Sequence, residues 1–265
     1  MINAATLAGG TANQDRYVIG HGFAVVLDGA TSVAGDRSHD PGWYAERLGE
    51  AIERAMDATT PLAEIVEQAI RAVRDAFHLE VASTPTSTVA IARWSHSHID
   101  IYVLGDSVVT LLDGQGSAQV FTDDRIELVG VQERAAYRAH LAAGGGFDEK
   151  HRVQLLSLQR EQARHRNRPG GFWIAGAEPE AARHGFSIDR ARTGMVALVL
   201  ASDGVEVERH PRAVTWADLY DEVRAHGVEP VLASIQHEEA LDQRGRRWPR
   251  AKLHDDKTLV LAQLA

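Results

Sequence analysis

The chain has 265 residues, no cysteine and a formal net charge of -9, with 44% hydrophobic and 25% charged residues. Its apolar content allows a full core without covalent staples, and the absent cysteines exclude disulfides, thiolate metal sites and a cysteine nucleophile, which suits a reducing cytoplasm. The acidic balance argues against nucleic-acid binding, and the longest apolar run, residues 195–201, is far short of the about 20 residues of a membrane span.

Residues 1–7 have neither a basic segment nor an adequate apolar stretch, so no signal peptide is expected there. Strands are predicted over 17–20 and 23–27, broken by His21-Gly22, and a polar loop rich in turn formers follows over 30–41. Tyr44, Leu48, Ile52 and Ala55 then recur at helical spacing. Leu62, Ile65, Val66, Ala69, Ile70, Val73 and Phe77 form the stripe of a second helix, with Pro61 where a first turn tolerates proline. Strands are predicted at 88–93, 99–104 and 108–112, and Asp113-Gly114 supplies a tight turn into 117–121. Residues 125–168 turn helical and loop-like around Gly144-Gly145-Gly146, and such an excursion between strands is where lids and binding loops occur. Strands resume at 172–174 and 195–201, helices at 216–225 and 228–242, and a last strand at 258–262. The order lacks a regular βαβ alternation. It predicts an α+β fold, antiparallel sheet with helices on its faces, as one domain over 1–265.

Asp-Gly occurs at Asp28, Asp113 and Asp203. At Asp113 it belongs to a hairpin and marks a turn. Asp28 and Asp203 instead each end a largely apolar strand, and Asp255-Asp256 just precedes the final one. Asp106, in Leu-Gly-Asp-Ser, is a fourth such acid. Converging carboxylates repel one another unless a cation neutralises them. An all-oxygen set without cysteine or a His-x-x-x-His pair suits Mg²⁺ or Mn²⁺ rather than zinc. Two basic clusters stand apart from these acids: Arg160, Arg164, His165, Arg166 and Arg168, and then Arg244, Arg246, Arg247, Arg250 and Lys252. Each is either a solvated face or a docking surface for a phosphorylated or acidic substrate.

Seven motifs in order resemble those of the metal-dependent protein phosphatase family, type 2C. They are Asn13-Gln14-Asp15, the strand end at Asp28-Gly29, Thr86-Ser87-Thr88, Gly105-Asp106-Ser107, Thr122-Asp123-Asp124, Ser202-Asp203-Gly204 and Asp255-Asp256-Lys257-Thr258. The resemblance implies two packed antiparallel β-sheets flanked by helices, with a flap over roughly 125–170. It also implies a catalytic centre at Asp28, Asp203 and Asp255 acting through a water activated by two Mg²⁺ or Mn²⁺ ions. Asp28 would bridge both ions with help from the Gly29 carbonyl, Asp203 and Asp255 would each hold one, and Asp15 would act through water. Asp106, with Asp203, would serve a weaker third site. Three departures stand out, one of them Val108 where the family motif has an arginine after Gly-Asp-Ser. Residues 1–14 contain no Arg or Lys to grip a substrate phosphate, and Ala30 stands where many members have a histidine. Arg134, Arg138 and Arg168 are candidate replacements for the phosphate grip.

The expected activity is hydrolysis of phosphate monoesters, phosphoserine or phosphothreonine in proteins foremost, in the cytoplasm and without nucleic-acid or membrane partners. The alternatives are a catalytically weak pseudophosphatase serving as a binding module and a phosphatase of small metabolites. Oligomeric state is not encoded in any feature of the chain.

Overall fold

The computed structural model describes residues 1–30, 39–205 and 214–264. Two five-stranded antiparallel sheets form its centre. One runs β1 (Ile2–Leu7), β12 (Lys257–Gln263), β11 (Met195–Ala201), β8 (Val108–Asp113) and β9 (Ala118–Phe121). The other runs β10 (Phe186–Ala191), β7 (His98–Leu104), β6 (Val89–Trp94), β3 (Phe23–Leu27) and β2 (Arg16–Gly20), and a two-stranded sheet pairs β4 (Gly29–Ala30) with β5 (Thr86–Ser87). The expected α+β sandwich is therefore the fold observed.

The central strands are apolar at consecutive positions because both their faces are covered. In β3, Ala24 and Val26 pack between the sheets with Leu198 and Leu200 of β11 and Val260 of β12. Phe23, Val25 and Leu27 point the other way, onto α1 (Pro41–Ala55) and α2 (Leu62–Phe77). On the opposite flank Val199, Leu259 and Leu261 meet α5 (Trp216–His226) and α6 (Val228–Leu241). Helix starts follow local chemistry. Asp40 accepts a 2.8 Å hydrogen bond from the Trp43 amide ahead of Pro41. Thr215 and Asp218 form a reciprocal capping box at α5.

Residues 125–170 fold as a short 3₁₀ turn, Asp124–Leu128, then α3 (Val131–Ala142) and α4 (Glu149–His165). Tyr137, Leu141 and Leu158 give this helix pair a small core of its own. Three sequence expectations change. Residues 172–174 form only an isolated bridge, Arg166 to Phe172, because Phe172 and Ile174 pack on Val129 instead of joining a sheet. The strands β1 and β10 were not expected. The β10 segment, Phe-Ser-Ile-Asp-Arg-Ala, is exposed along most of its length, so it shows no apolar pattern. Most of the predicted 30–41 loop, residues 31–38, lies outside the described residues.

Candidate active site

Four aspartates from four chain segments line one cavity of about 240 Å³: Asp28 after β3, Asp106 between β7 and β8, Asp203 after β11 and Asp255 before β12. Gly29 and Gly204 line it as well. Asp15, just before β2, is fully buried behind them, with its Oδ2 accepting a 2.7 Å hydrogen bond from the Ser202 hydroxyl.

The remaining letters of the motifs hold these acids in place. Thr88 Oγ1 accepts from the Asp28 amide at 3.1 Å and shares a 2.6 Å hydrogen bond with the buried Ser107. Ser202 Oγ, besides donating to Asp15, accepts from the Thr258 amide at 2.9 Å. Asn13 Oδ1 accepts from the Asp15 amide, and its side-chain amide donates to Thr6 Oγ1. Asp256 reaches the other way: its two carboxylate oxygens accept from the amides of Gly9 and Gln14, both at 2.8 Å. Lys257, fully buried, donates to Glu239 Oε2 at 2.7 Å and to the Asp255 carbonyl at 2.6 Å.

The glycine after Asp203 is required by close approach. A Cβ on Gly204 would lie 2.0 Å from the Asp256 carbonyl oxygen, so the two strand ends touch through bare backbone. At Gly29 a Cβ would meet the Gln14 carbonyl oxygen at 2.8 Å.

The electrostatics of the cluster are unfavourable for acids alone. Burial, opposed by hydrogen bonds from Ser202 and Thr258, pushes Asp15 up to about 7, with Asp203 and Asp255 adding repulsion. Burial and then Asp203 push Asp106 up to about 7. Asp255 rises to about 6 through burial, against the nearby Lys252. Asp28 stands well above the usual carboxylate range, through burial first and then repulsion from Asp15, Asp203 and Asp255, and its carboxyl lies within hydrogen-bonding reach of Asp203. The buried Asp15 Oδ1 has no hydrogen-bond partner among the described residues. An all-oxygen set with an orphaned carboxylate oxygen and mutual repulsion fits a hard dication. Among the described residues the acids do not form a closed group of three or more ligands. Lys252 is the protein cation among them, its Nζ 2.5 Å from Asp255 Oδ1 and within electrostatic reach of Asp28 and Asp203.

The candidate phosphate-binding arginines fall in different places. Arg134 lines the cavity but is buried, donating to the carbonyls of Ile126, Glu127 and Val129 and pairing with the Glu127 carboxylate at 3.4 Å. Arg138 also lines it, 3.8 Å from Glu127 and over the Tyr137 ring. Arg168 is exposed beyond α4 and is not part of the lining. Three lining residues that the sequence left inside undifferentiated basic clusters are Arg166, Arg250 and Lys252. Asp123, in the Thr-Asp-Asp motif, serves the scaffold: it is buried and bonds the Arg125 guanidinium, which also donates to the His184 carbonyl at 2.6 Å.

A sequence model described as Protein phosphatase 2C matches residues 4–243. No curated protein matches the chain. Among solved structures, the serine/threonine phosphatase PstP/Ppp of Mycobacterium tuberculosis superposes with a TM-score of 0.57 at 17% identity, covering 100% of this chain and 98% of that one. Stp1 from Staphylococcus aureus gives 0.59 at 14% identity, covering 100% and 94%. The catalytic domain of PstP in complex with two manganese ions gives 0.56 at 16% identity, covering 99% and 97%. These likenesses are of fold, whereas the match over residues 4–243 takes in the motif acids from Asp15 to Asp203, and with it the chain is placed in the protein phosphatase 2C family.

Proposed function

We propose that the protein is a phosphoprotein phosphatase hydrolysing phosphoserine or phosphothreonine with two Mg²⁺ or Mn²⁺ ions. The observation that carries the reading is the meeting of Asp28, Asp106, Asp203 and Asp255, from four distant segments, around one cavity. Asp28, Asp203 and Asp255 would hold the two ions, with Gly29 beside Asp28, Asp15 behind and Asp106 toward a weaker third position. The bound pair would supply Lewis acidity, lowering the pKa of a water and neutralising phosphoryl charge.

The chain's own contribution is positioning. Thr88, steadied by Ser107, holds the backbone at Asp28, and Ser202 orients the Asp15 carboxylate, which leaves less reorganisation for the reaction itself. The α3–α4 pair walls the cavity through Tyr137, Leu155 and Leu158 and narrows the access of bulk water. The acidic composition and the absence of cysteine support a cytoplasmic setting without nucleic-acid partners. Among the described residues no helix is long and apolar enough to cross a membrane.

The test is hydrolysis of phosphoserine and phosphothreonine peptides by the full chain with and without Mn²⁺, alongside Asp28→Asn and Asp203→Asn. Metal-dependent turnover in the parent and loss in both variants is expected. Turnover that ignores Mn²⁺, or variants as fast as the parent, would overturn the proposal. A protein that binds Mn²⁺ and turns over nothing would be the pseudophosphatase, and a preference for small phosphate esters would move the substrate to metabolites.

A further inference from the structure

A phosphate monoester is a dianion, and a wall of carboxylates repels it wherever bound metal ions do not face it. Residues 1–14 offer no Arg or Lys, so any protein cation that meets the phosphoryl group comes from elsewhere. Five basic side chains line the cavity: Arg134, Arg138, Arg166, Arg250 and Lys252. Three are committed. Arg134 is held by three carbonyls and Glu127, and Arg138 leans on Glu127. Arg250 donates to the carbonyls of Leu253, Trp248, Glu239 and Asp242 and pairs with the Asp242 carboxylate at 3.2 Å.

We propose that Arg166 and Lys252 form the anion-binding half of the site, gripping the phosphoryl group of the substrate and the phosphate product. Among the described residues the Arg166 side chain makes no hydrogen bond, and its buried Nε has no partner. A desolvated guanidinium with open donors is a strong receptor for phosphate oxygens, which it meets in pairs. Its position is rigid. Asn167 takes a left-handed φ of 50°, donates from its backbone to the Phe172 carbonyl and from its side chain to Glu178, and a Cβ on Gly171 would lie 2.0 Å from the His165 carbonyl oxygen. Burial, only partly offset by Glu178, holds the guanidinium below its ordinary value, which marks a cation short of a counterion.

Lys252 approaches from the segment that Arg250 clamps. Its ammonium bonds Asp255, an acid that a bound dication would claim, and that exchange would release the ammonium to the rest of the cavity it lines. Each of the two basic clusters of the sequence thus supplies one uncommitted candidate to the same cavity, Arg166 from the first and Lys252 from the second.

The inference rests on the phosphatase reading only in naming the anion as the reacting group. It is tested on the full Mn²⁺-loaded chain with Arg166→Gln, Arg166→Lys and Lys252→Gln. Inorganic phosphate binding is followed by calorimetry, KM and kcat with p-nitrophenyl phosphate, and Mn²⁺ affinity separately. Arg166→Gln should weaken phosphate binding and raise KM by about tenfold or more, with Arg166→Lys recovering part and Mn²⁺ affinity held within about twofold. Lys252→Gln should weaken phosphate binding while leaving Mn²⁺ binding unchanged or tighter. Should Arg166→Gln not fold, a several-fold loss in Arg166→Lys, which keeps the charge but not the paired donors, supports the anion site equally. Phosphate affinity within about twofold of the parent in the folded variants, or no phosphate binding by the parent, overturns the proposal. A parent that binds phosphate through Arg166 without turnover keeps the anion site and refutes the phosphatase. Undiminished turnover in the variants does the reverse.

Discussion

Asp256 is tied to Gln14 by a 2.8 Å hydrogen bond from the Gln14 amide to Oδ2, a contact between the two ends of the chain. The partner oxygen takes the Gly9 amide at the same distance. The loop that delivers Asp15 is therefore fastened to the strand end that delivers Asp255, and neither acid is placed independently of the other.

Removing that fastening should harm metal binding more than folding. Asp256→Ala leaves two amides to find water, a loss of about 1–3 kcal/mol in unfolding free energy. Mn²⁺ affinity should fall about 10–100-fold, the usual effect of losing a group that orients ligands. Calorimetric titration with a parallel denaturant melt checks both.

Gly204→Ala isolates close approach from charge. The new methyl would sit 2.0 Å from the Asp256 carbonyl oxygen, so the two strand ends must separate. A displacement of about 1 Å is enough to lower turnover on the order of 100-fold. Steady-state rates at saturating Mn²⁺ measure it, and a variant with parental kcat contradicts the close-packed junction.

The buried pair of Lys257 and Glu239 supports Asp255 through the Lys257 bond to its carbonyl. Lys257→Met should destabilise by about 3–5 kcal/mol, because Glu239 is left buried without its main counter-charge. Adding Glu239→Gln should restore much of the loss, which thermal melts of the single and double variants would reveal.

Acid should weaken Mn²⁺ binding from near neutrality downward. Asp15 and Asp106 stand at about 7 and Asp255 at about 6, and each must be deprotonated to serve a cation. Above about pH 7 Asp15, Asp106 and Asp255 lose their protons and affinity is higher. As pH falls through 7 and then 6, protons compete and affinity drops by up to about tenfold per pH unit for each proton displaced. Titrations between about pH 8 and 5.5 test the slope, and a flat profile contradicts it.

Much of this was legible in the sequence where a residue's role is local. Apolar runs covered on both faces, such as 195–201, announced central strands, and Leu62 to Phe77 announced α2 through its stripe. The strand-end acids were visible because a carboxylate directly after five buried residues has few structural uses. What escaped depends on distance along the chain. The strand β1 acquires its meaning from pairing with β12 at the opposite terminus, and β10 is an edge strand whose outward residues carry no period. The same holds for the cations. Arg166 sits among five basic residues of similar spacing, and only the turn at Asn167 and the bridge to Phe172 distinguish it from its solvated neighbours. Arg134, chosen from the sequence as a phosphate ligand, has its donors taken by the carbonyls of residues 126, 127 and 129, a use that composition does not reveal.

Calorimetric titration of Mn²⁺ into the parent and into Asp28→Asn addresses most directly whether Asp28, Asp203 and Asp255 act as one cation site. The parent should bind Mn²⁺ with release of protons near pH 7, and Asp28→Asn should lose about tenfold or more in affinity while its metal-free form melts at a higher temperature, its mutual repulsion relieved. A parent that takes up no Mn²⁺, or an Asp28→Asn isotherm that overlays it, contradicts a shared site.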